Sequence, residues 1–446
     1  MDLISSNKYT VVIGLGVTGL SAVRHMLAQG VRVIACDSRK NPPNLEAVRR
    51  EFSELSLQLG PLDAELLCNA QEIVISPGLS RKDPVIQHAI SSGVSVIGDI
   101  ELFARVVNAP VIAITGSNGK STVTTLVGEM AKAAGIKVAV AGNIGYAALE
   151  ALADDIELYV LELSSFQLES TSSLKPVAAT VLNVSADHMD RYASLMEYAL
   201  TKQRIAFGAK TVVVNKQDPL TEPPIAEGVK RVCFSSNQPD LNDYGFYDGS
   251  LVKGFKALVA AQDINIVGLH NMANAAAALA LAAAAGVSLD ACVSALKNFT
   301  GLAHRCEHIR AVNGIDFIND SKATNVGATV AALKGLSRGE PTIHIILGGD
   351  GKGADFAPLI PALKGTAKTA LVLGKDAQSI ARAIHAALPE LPVLEVESLP
   401  SAVSKAYQLA AAGDCVLLSP ACASLDMFKN FEQRGDVFRQ AVGGLS

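Results

Sequence analysis

The stretch Thr115-Gly-Ser-Asn-Gly-Lys-Ser-Thr122 is the part of this chain best suited to phosphate chemistry. An apolar run, Val111 to Thr115, feeds a glycine-containing turn, and a helix is expected to begin where Lys120-Ser121-Thr122 follows. In such a turn the backbone N–H groups of Gly116, Ser117, Asn118 and Gly119 can cradle an anion. A lysine reaches the terminal phosphate, and a hydroxyl is placed to hold Mg²⁺. Lys120 and Ser121 stand at those two positions. The spacing is a variant, because the position five before Gly119 is Ile114, where the common phosphate loop has glycine.

Other clusters fall at the ends of apolar runs. Gly14-Leu-Gly16-Val-Thr-Gly19 follows one such run, and Asp37 closes the next, the spacing of a dinucleotide fingerprint. Taken alone, that fits a nicotinamide oxidoreductase, a UDP-linked ligand with its own diphosphate, or a tight turn that binds nothing. Ser76-Pro-Gly78 could add a diphosphate contact. Glu162 ends a strand beside the phosphate loop, a natural place for a Mg²⁺ ligand. Asn143, between Gly142 and Gly145, could donate to an oxygen of substrate or phosphate. Asn183-Val-Ser-Ala-Asp187-His188-Met-Asp190-Arg191 mixes ligand types, which suggests a second metal or a proton shuttle. Lys202 follows on a helix, with Tyr198 and Ala206 on its face; composition alone reads it as solvated. Arg305 is a candidate phosphate clamp supplied across a domain boundary. Asn319-Asp-Ser-Lys-Ala-Thr-Asn325 is polar enough to be an exposed loop. Leu347-Gly-Gly-Asp-Gly-Lys352 repeats the strand–glycine–lysine order and suits an anion. Cys422, in Pro420-Ala-Cys-Ala-Ser424, has no nearby histidine to support it as a nucleophile.

Parallel sheets must position these loops, because strands alternate with helices almost throughout. A first set of strands is expected near Tyr9–Ile13, Arg32–Cys36, Glu72–Ile75 and Ser95–Ile97. A second runs through Val111–Thr115, Lys137–Ala141, Glu157–Leu161, Ala179–Leu182 and Thr211–Val214. An antiparallel addition from Tyr244 to Val267 turns at Asp248-Gly249, before helices Asn271–Ala285 and Leu289–Asn298. A third set lies near Thr342–Leu347, Thr369–Leu373, Val393–Val396 and Cys415–Leu418. The expected fold is three consecutive α/β domains, 1–98, 99–301 and 302–446: Rossmann-like, central P-loop ATPase-like, and C-terminal dinucleotide-binding-like. The length of 446 residues suits three domains, and 49% hydrophobic content supplies their cores. A net charge of -5 argues against nucleic acid as the main partner. Seven scattered cysteines without a Cys-x-x-Cys pair suit a reduced compartment and no zinc framework. No signal peptide or membrane-spanning run is evident, so a cytoplasmic protein is expected.

Together these stretches resemble the Mur ligases of peptidoglycan synthesis. The resemblance rests most on the loop through Thr122, on Asp187-His-Met-Asp-Arg-Tyr192, on Asn319–Asn325 and on Leu418-Ser-Pro-Ala-Cys-Ala-Ser-Leu-Asp426. It extends from the Gly14 turn to Asn430-Phe431-Glu-Gln-Arg434-Gly. It implies ATP-dependent amide formation, with the carboxylate of UDP-N-acetylmuramoyl-L-alanine phosphorylated by ATP and then attacked by the amine of D-glutamate. It also implies roles for single residues. Val17, Thr18, Asp37, Ser38, Arg39 and Ser76 would face the nucleotide sugar. Gly116 to Thr122 would bind ATP phosphates, with Asn271, Arg305 and Asp320 contacting adenosine and phosphate. Ser121 and Glu162 would hold one Mg²⁺, and His188 with Lys202 a second. An ammonium cannot coordinate a cation, so Lys202 would be carbamylated, as in similar ligases. Thr324, Lys352, Ser424 and Phe431 would hold D-glutamate. Lys120, Asn143, His188, Lys202 and Lys322 would carry the catalysis. A monomer is expected. A folate polyglutamylating ligase also joins glutamate with ATP but lacks a block like 1–98. A non-catalytic nucleotide-sugar sensor would bind UDP ligands and release no phosphate.

Overall fold

The computed structural model describes residues 8–266, 268–337 and 339–445. The first sheet comprises β1 (Thr10–Ile13), β2 (Val33–Asp37), β3 (Ser56–Leu59), β4 (Glu72–Ile75) and β5 (Ser95–Ile97). All its pairings are parallel, in the order β3-β2-β1-β4-β5. The chain reverses direction across the sheet between β1 and β4, and a crevice opens there beyond the strand ends. The Gly14–Gly19 turn leaves β1 at that crevice, and Ser76 follows β4 into it. A Cβ on Gly19 would collide with the Gly14 carbonyl, so only glycine lets the helix Val17–Ala28 start this close to the strand.

The second sheet holds β6 (Val111–Thr115), β7 (Val138–Gly142), β8 (Leu158–Glu162), β9 (Ala178–Val181), β10 (Thr211–Asn215), β11 (Lys230–Phe234), β12 (Tyr244–Tyr247), β13 (Ser250–Lys253) and β14 (Lys256–Ala260). Its order is β14-β13-β12-β11-β10-β9-β6-β8-β7, parallel except for the closing β12–β14 meander. The expected turn at Asp248-Gly249 is present; Val267, the expected end of that stretch, lies outside the described residues. Strand β6, which feeds the phosphate loop, lies between β8 and β9, so Glu162 and Asn183 emerge on either side of it.

The third sheet holds β15 (Glu307–Val312), β16 (Ile315–Asn319), β17 (Ile343–Gly348), β18 (Ala367–Leu373), β19 (Val393–Glu395) and β20 (Cys415–Leu418). Its order is β15-β16-β20-β17-β18-β19. The sequence reading missed β3, β11 and the β15–β16 hairpin, whose strands are short, charged or partly exposed. The hairpin did carry a signal: Asn313 and Gly314 have φ of 50° and 77°, the left-handed pair that an Asn-Gly turn favours.

The first two sheets share one apolar core. Val12 and Leu15 from the first, Ile100 and Phe103 from the helix Asp99–Val106, and Tyr159 and Leu161 from the second belong to the same buried cluster. The other face of the central sheet packs on the alanine-rich helix Leu269–Ala284, of which Ala275–Ala282 is buried. Among the described residues no helix is long and apolar enough to cross a membrane.

Candidate active site

The phosphate loop is braced by hydrogen bonds to Asn183. Ser117 N donates to Asn183 O at 2.9 Å, Asn118 N to Asn183 Oδ1 at 2.8 Å, and Asn183 Nδ2 to Asn118 O at 2.9 Å. Gly119 has φ of 82°, and a Cβ there would lie 2.6 Å from Asn274 Oδ1. The helix Lys120–Ala133 then starts with its N-terminal dipole at the loop, as an anion site requires. Lys120 Nζ donates to Gly116 O and Ser117 O, at 2.8 and 3.0 Å, and so folds back over the loop.

Four basic side chains converge here from two blocks. Lys202 is 1% exposed, and its Nζ donates to Gly116 O at 3.0 Å while facing the Tyr198 ring at 4.4 Å. This corrects the solvated reading: the helix Leu195–Gln203 turns Lys202 inward with Tyr198. Arg305, from the loop before β15, donates from Nη2 to Ser121 Oγ at 2.6 Å. Lys322 Nζ sits 3.9 Å from the Phe431 ring centre. Burial pushes Lys120 below the usual ammonium range, and pushes Lys202 well below it with Lys120 adding to the effect. Lys322 is lowered to about 8 by burial and by Arg305 and Lys120. Burial raises Asp320 to about 7, against hydrogen bonds from Ser419 Oγ and Cys306 N.

Glu162 is buried at the end of β8. Its Oε1 accepts from Asn143 Nδ2 at 3.1 Å, and its Oε2 has no hydrogen-bond partner among the described residues. Among those residues no three His, Cys, Asp or Glu side chains form a ready-made metal cage. Mg²⁺ needs none, since it is usually held by one or two carboxylates plus phosphate oxygens and water. An orphaned carboxylate oxygen at the same sheet end as Ser121 therefore fits Mg²⁺. His188 has φ of 57° and lies against Phe166, with ring centres 4.8 Å apart. Burial lowers its pKa, and Asp187 partly opposes that.

The segment Asn319–Asn325 is not the exposed loop expected from its polarity. Asn319, Asp320, Ser321 and Ala323 are buried, because their polar groups are paired inside the protein. Arg434, itself 2% exposed, donates from Nη2 to Ser321 O at 2.7 Å and from Nη1 to Cys422 O at 3.0 Å. Asn325 Nδ2 reaches Asn118 Oδ1 at 3.3 Å and Asp187 Oδ2 at 3.2 Å, tying this segment to both central loops. Sequence reasoning assigned nothing to Arg434, Asn183 or Asn325, although each lies within a motif it quoted. The Cys422 thiol is pushed up to about 12 by burial, in keeping with its dismissal as a nucleophile.

A cavity of about 430 Å³ opens beside the loop, lined by Gly119, Asn271, Asn274, Arg305, Asp320 and Lys322. The candidate amino-acid residues lie on neighbouring loops of the third sheet. Asp350 and Ala423 exchange backbone hydrogen bonds at 3.0 and 2.9 Å, which sets the Lys352 loop beside the Ser424 loop. Lys352 is exposed with φ of 52°, Ser424 is buried, and Thr324 and Phe431 are half-buried. In the first sheet, Val17, Ser38 and Arg39 are exposed and Thr18 half-buried. Asp37 is buried and accepts from Leu15 N at 2.8 Å and from Arg39. It thus braces the turn, while Ser76 Oγ donates to Gly14 O at 2.9 Å.

Three family models match in succession: the Mur ligase MurD-like N-terminal domain over 8–98, the Mur ligase middle domain over 114–282, and the Mur ligase glutamate ligase domain over 304–422. A UDP-N-acetylmuramoylalanine–D-glutamate ligase from Pseudomonas syringae pv. tomato is 51% identical, and one from Pseudomonas aeruginosa 50%, each over the full length of both chains. Among solved structures, a UDP-N-acetylmuramate–alanine ligase from Thermotoga maritima shares the fold with a TM-score of 0.58 at 19% identity, covering 98% of this chain and 99% of that one. A MurF ligase from Thermotoga maritima in complex with ADP gives 0.59 at 17% identity, covering 98% and 95%.

Proposed function

The chain belongs to the Mur ligase family, and from that membership and the site we infer that it joins D-glutamate to UDP-N-acetylmuramoyl-L-alanine using ATP. It is a C–N bond-forming ligase of peptidoglycan synthesis. The observation that carries this reading is the contact of Arg305, from the third block, with Ser121 of the central phosphate loop. A phosphate loop clamped from the next domain suits transfer from ATP inside a closed cleft. The matching first block sets the chain apart from folate ligases, which lack one, and a dehydrogenase needs no phosphate loop.

The chemistry follows from the acceptor. A carboxylate resists amines because its oxygen leaves poorly, so a carboxylate oxygen first attacks the γ-phosphorus and ADP departs. The amine of D-glutamate then attacks the acyl carbon, the bond to phosphate breaks, and the amine gives up a proton. Lys120 and Arg305 offset phosphate charge, with Lys322 beside them and Asn143 orienting an oxygen. Asn271 and Asp320 join Arg305 in contacting adenosine and phosphate. Ser121 with Glu162, and His188 with Lys202, are the residues that would hold two Mg²⁺ ions, which when bound neutralise charge between ATP and the anionic acceptor. Burial lowers the Lys202 pKa and so favours the neutral amine, the form that can add CO₂, forming a carbamate and releasing a proton. Burial keeps His188 neutral near pH 7, as both a metal ligand and a proton acceptor must be.

D-Glutamate is assigned to Thr324, Lys352, Ser424 and Phe431, and the nucleotide sugar to Val17, Thr18, Asp37, Ser38, Arg39 and Ser76. The working domains are 1–98, 99–301 and 302–446, in a cytoplasmic monomer. An ADP-release assay with acceptor and amino acid omitted in turn tests the reading. Sustained release needs both. Release with a folate in place of the UDP acceptor, or none with all substrates present, overturns it.

A further inference from the structure

Arg191 belongs to the central block, yet its guanidinium serves the first. Nη1 donates to Pro77 O and Nη2 to Leu79 O, both at 2.9 Å, in the turn that carries Ser76. That turn closes on itself through Leu79 N and Ser76 O, and Ser76 Oγ holds the Gly14 carbonyl of the diphosphate turn. The other side of Arg191 faces the catalytic loops. Its Cζ lies 4.0 Å from the centre of the Phe166 ring, which also packs against His188 at 4.8 Å and Tyr192 at 6.2 Å. Nη2 also pairs with Glu169 Oε2 at 2.7 Å, and Glu169 Oε1 accepts from Tyr192 OH at 2.7 Å. Tyr192 packs on Tyr198 at 5.1 Å, and Tyr198 on Lys202.

These contacts form two unbroken arms from one nearly buried side chain, one to His188 and one to Lys202. We propose that Arg191 is a positioning residue that couples occupancy of the nucleotide-sugar turn to the order of the loop bearing His188 and of the helix bearing Lys202. It is assigned to neither the acceptor nor ATP. Its planar fork holds two carbonyls and a carboxylate at once, which a lysine cannot reproduce. The proposal rests on the assignment of Ser76 to the nucleotide sugar and of His188 and Lys202 to the metal side.

The test uses the full chain without ATP or metal. Amide hydrogen exchange across 184–203 is followed with and without UDP-N-acetylmuramoyl-L-alanine, whose affinity is measured by calorimetry. In the wild type the acceptor slows exchange of this segment by about tenfold, within the usual range of site-to-site coupling. In Arg191→Lys and Arg191→Gln the acceptor still binds within about threefold of wild type, but the slowing is lost. Glu169→Gln, which keeps the shape and removes the charge, gives an intermediate loss. Slowing of equal size in wild type and both Arg191 variants overturns the proposal and leaves the ligase reading intact. A wild type that binds no UDP acceptor overturns the assignment of the first block, and the proposal with it.

Discussion

At the scale of single residues, the site gathers four basic side chains around few carboxylates. Lys202 is the sharpest case, since a buried ammonium costs more than a buried amine. Lys202→Ala is expected to lose activity by at least about a hundredfold and to recover part of it when short carboxylates are added; no recovery at any concentration counts against a carbamate. Lys352→Ala should raise the KM for D-glutamate about tenfold or more with little change for ATP, and equal changes in both remove its role. Burial holds Lys322 down to about 8, so its cation is expected to be lost as pH rises through that value. The kcat/KM for ATP should fall along that limb, and Lys322→Arg should move the limb upward. Residue types just after apolar strands made Lys120, Ser121 and Glu162 candidates in the sequence, and Arg305 became one by its place at the opening of the third block. Burial was not legible: polarity suggested an exposed Asn319–Asn325, and only the fold supplies the Arg434 and Asn325 contacts that pair it.

At the scale of elements, strand order does the positioning. Because β6 lies between β8 and β9, the phosphate loop is flanked by Glu162 and Asn183 without either being near it in sequence. Alternating apolar runs revealed most strands, whereas β11 and β15 carry charged residues and stayed hidden. The helix Asp99–Val106 makes a separate prediction. Asp99, at its first turn, is buried against Gln167, with its pKa raised to about 6 by desolvation. A raised carboxyl pKa favours the folded state below the unfolded value near 4, and that benefit is lost as pH rises through about 6. Asp99→Asn should therefore raise the Tm at pH 7.5, by an amount equivalent to on the order of 2 kcal/mol, and the gain should shrink towards pH 4. A gain independent of pH would show that Asp99 has the same pKa folded and unfolded, and would contradict its elevation by burial.

At the scale of the whole molecule, the candidate site draws residues from all three blocks. The first shares a core with the second, and the third reaches the phosphate loop through Arg305 and Asn325. Glycines allow the last approach: a Cβ on Gly335 would lie 2.7 Å from His270 Nδ1, and one on Gly327 2.7 Å from Ser185 Oγ. Motif order along the chain made the three blocks legible, but nothing in it foretold which loops would touch. The central claim is that ATP activates the acceptor carboxylate as an acyl phosphate before the amine of D-glutamate attacks it. The most direct measurement uses UDP-N-acetylmuramoyl-L-alanine labelled with ¹⁸O in its terminal carboxylate and reads the released phosphate by mass spectrometry. One labelled oxygen per turnover in the phosphate is the predicted result; unlabelled phosphate alongside normal amide product would contradict the account.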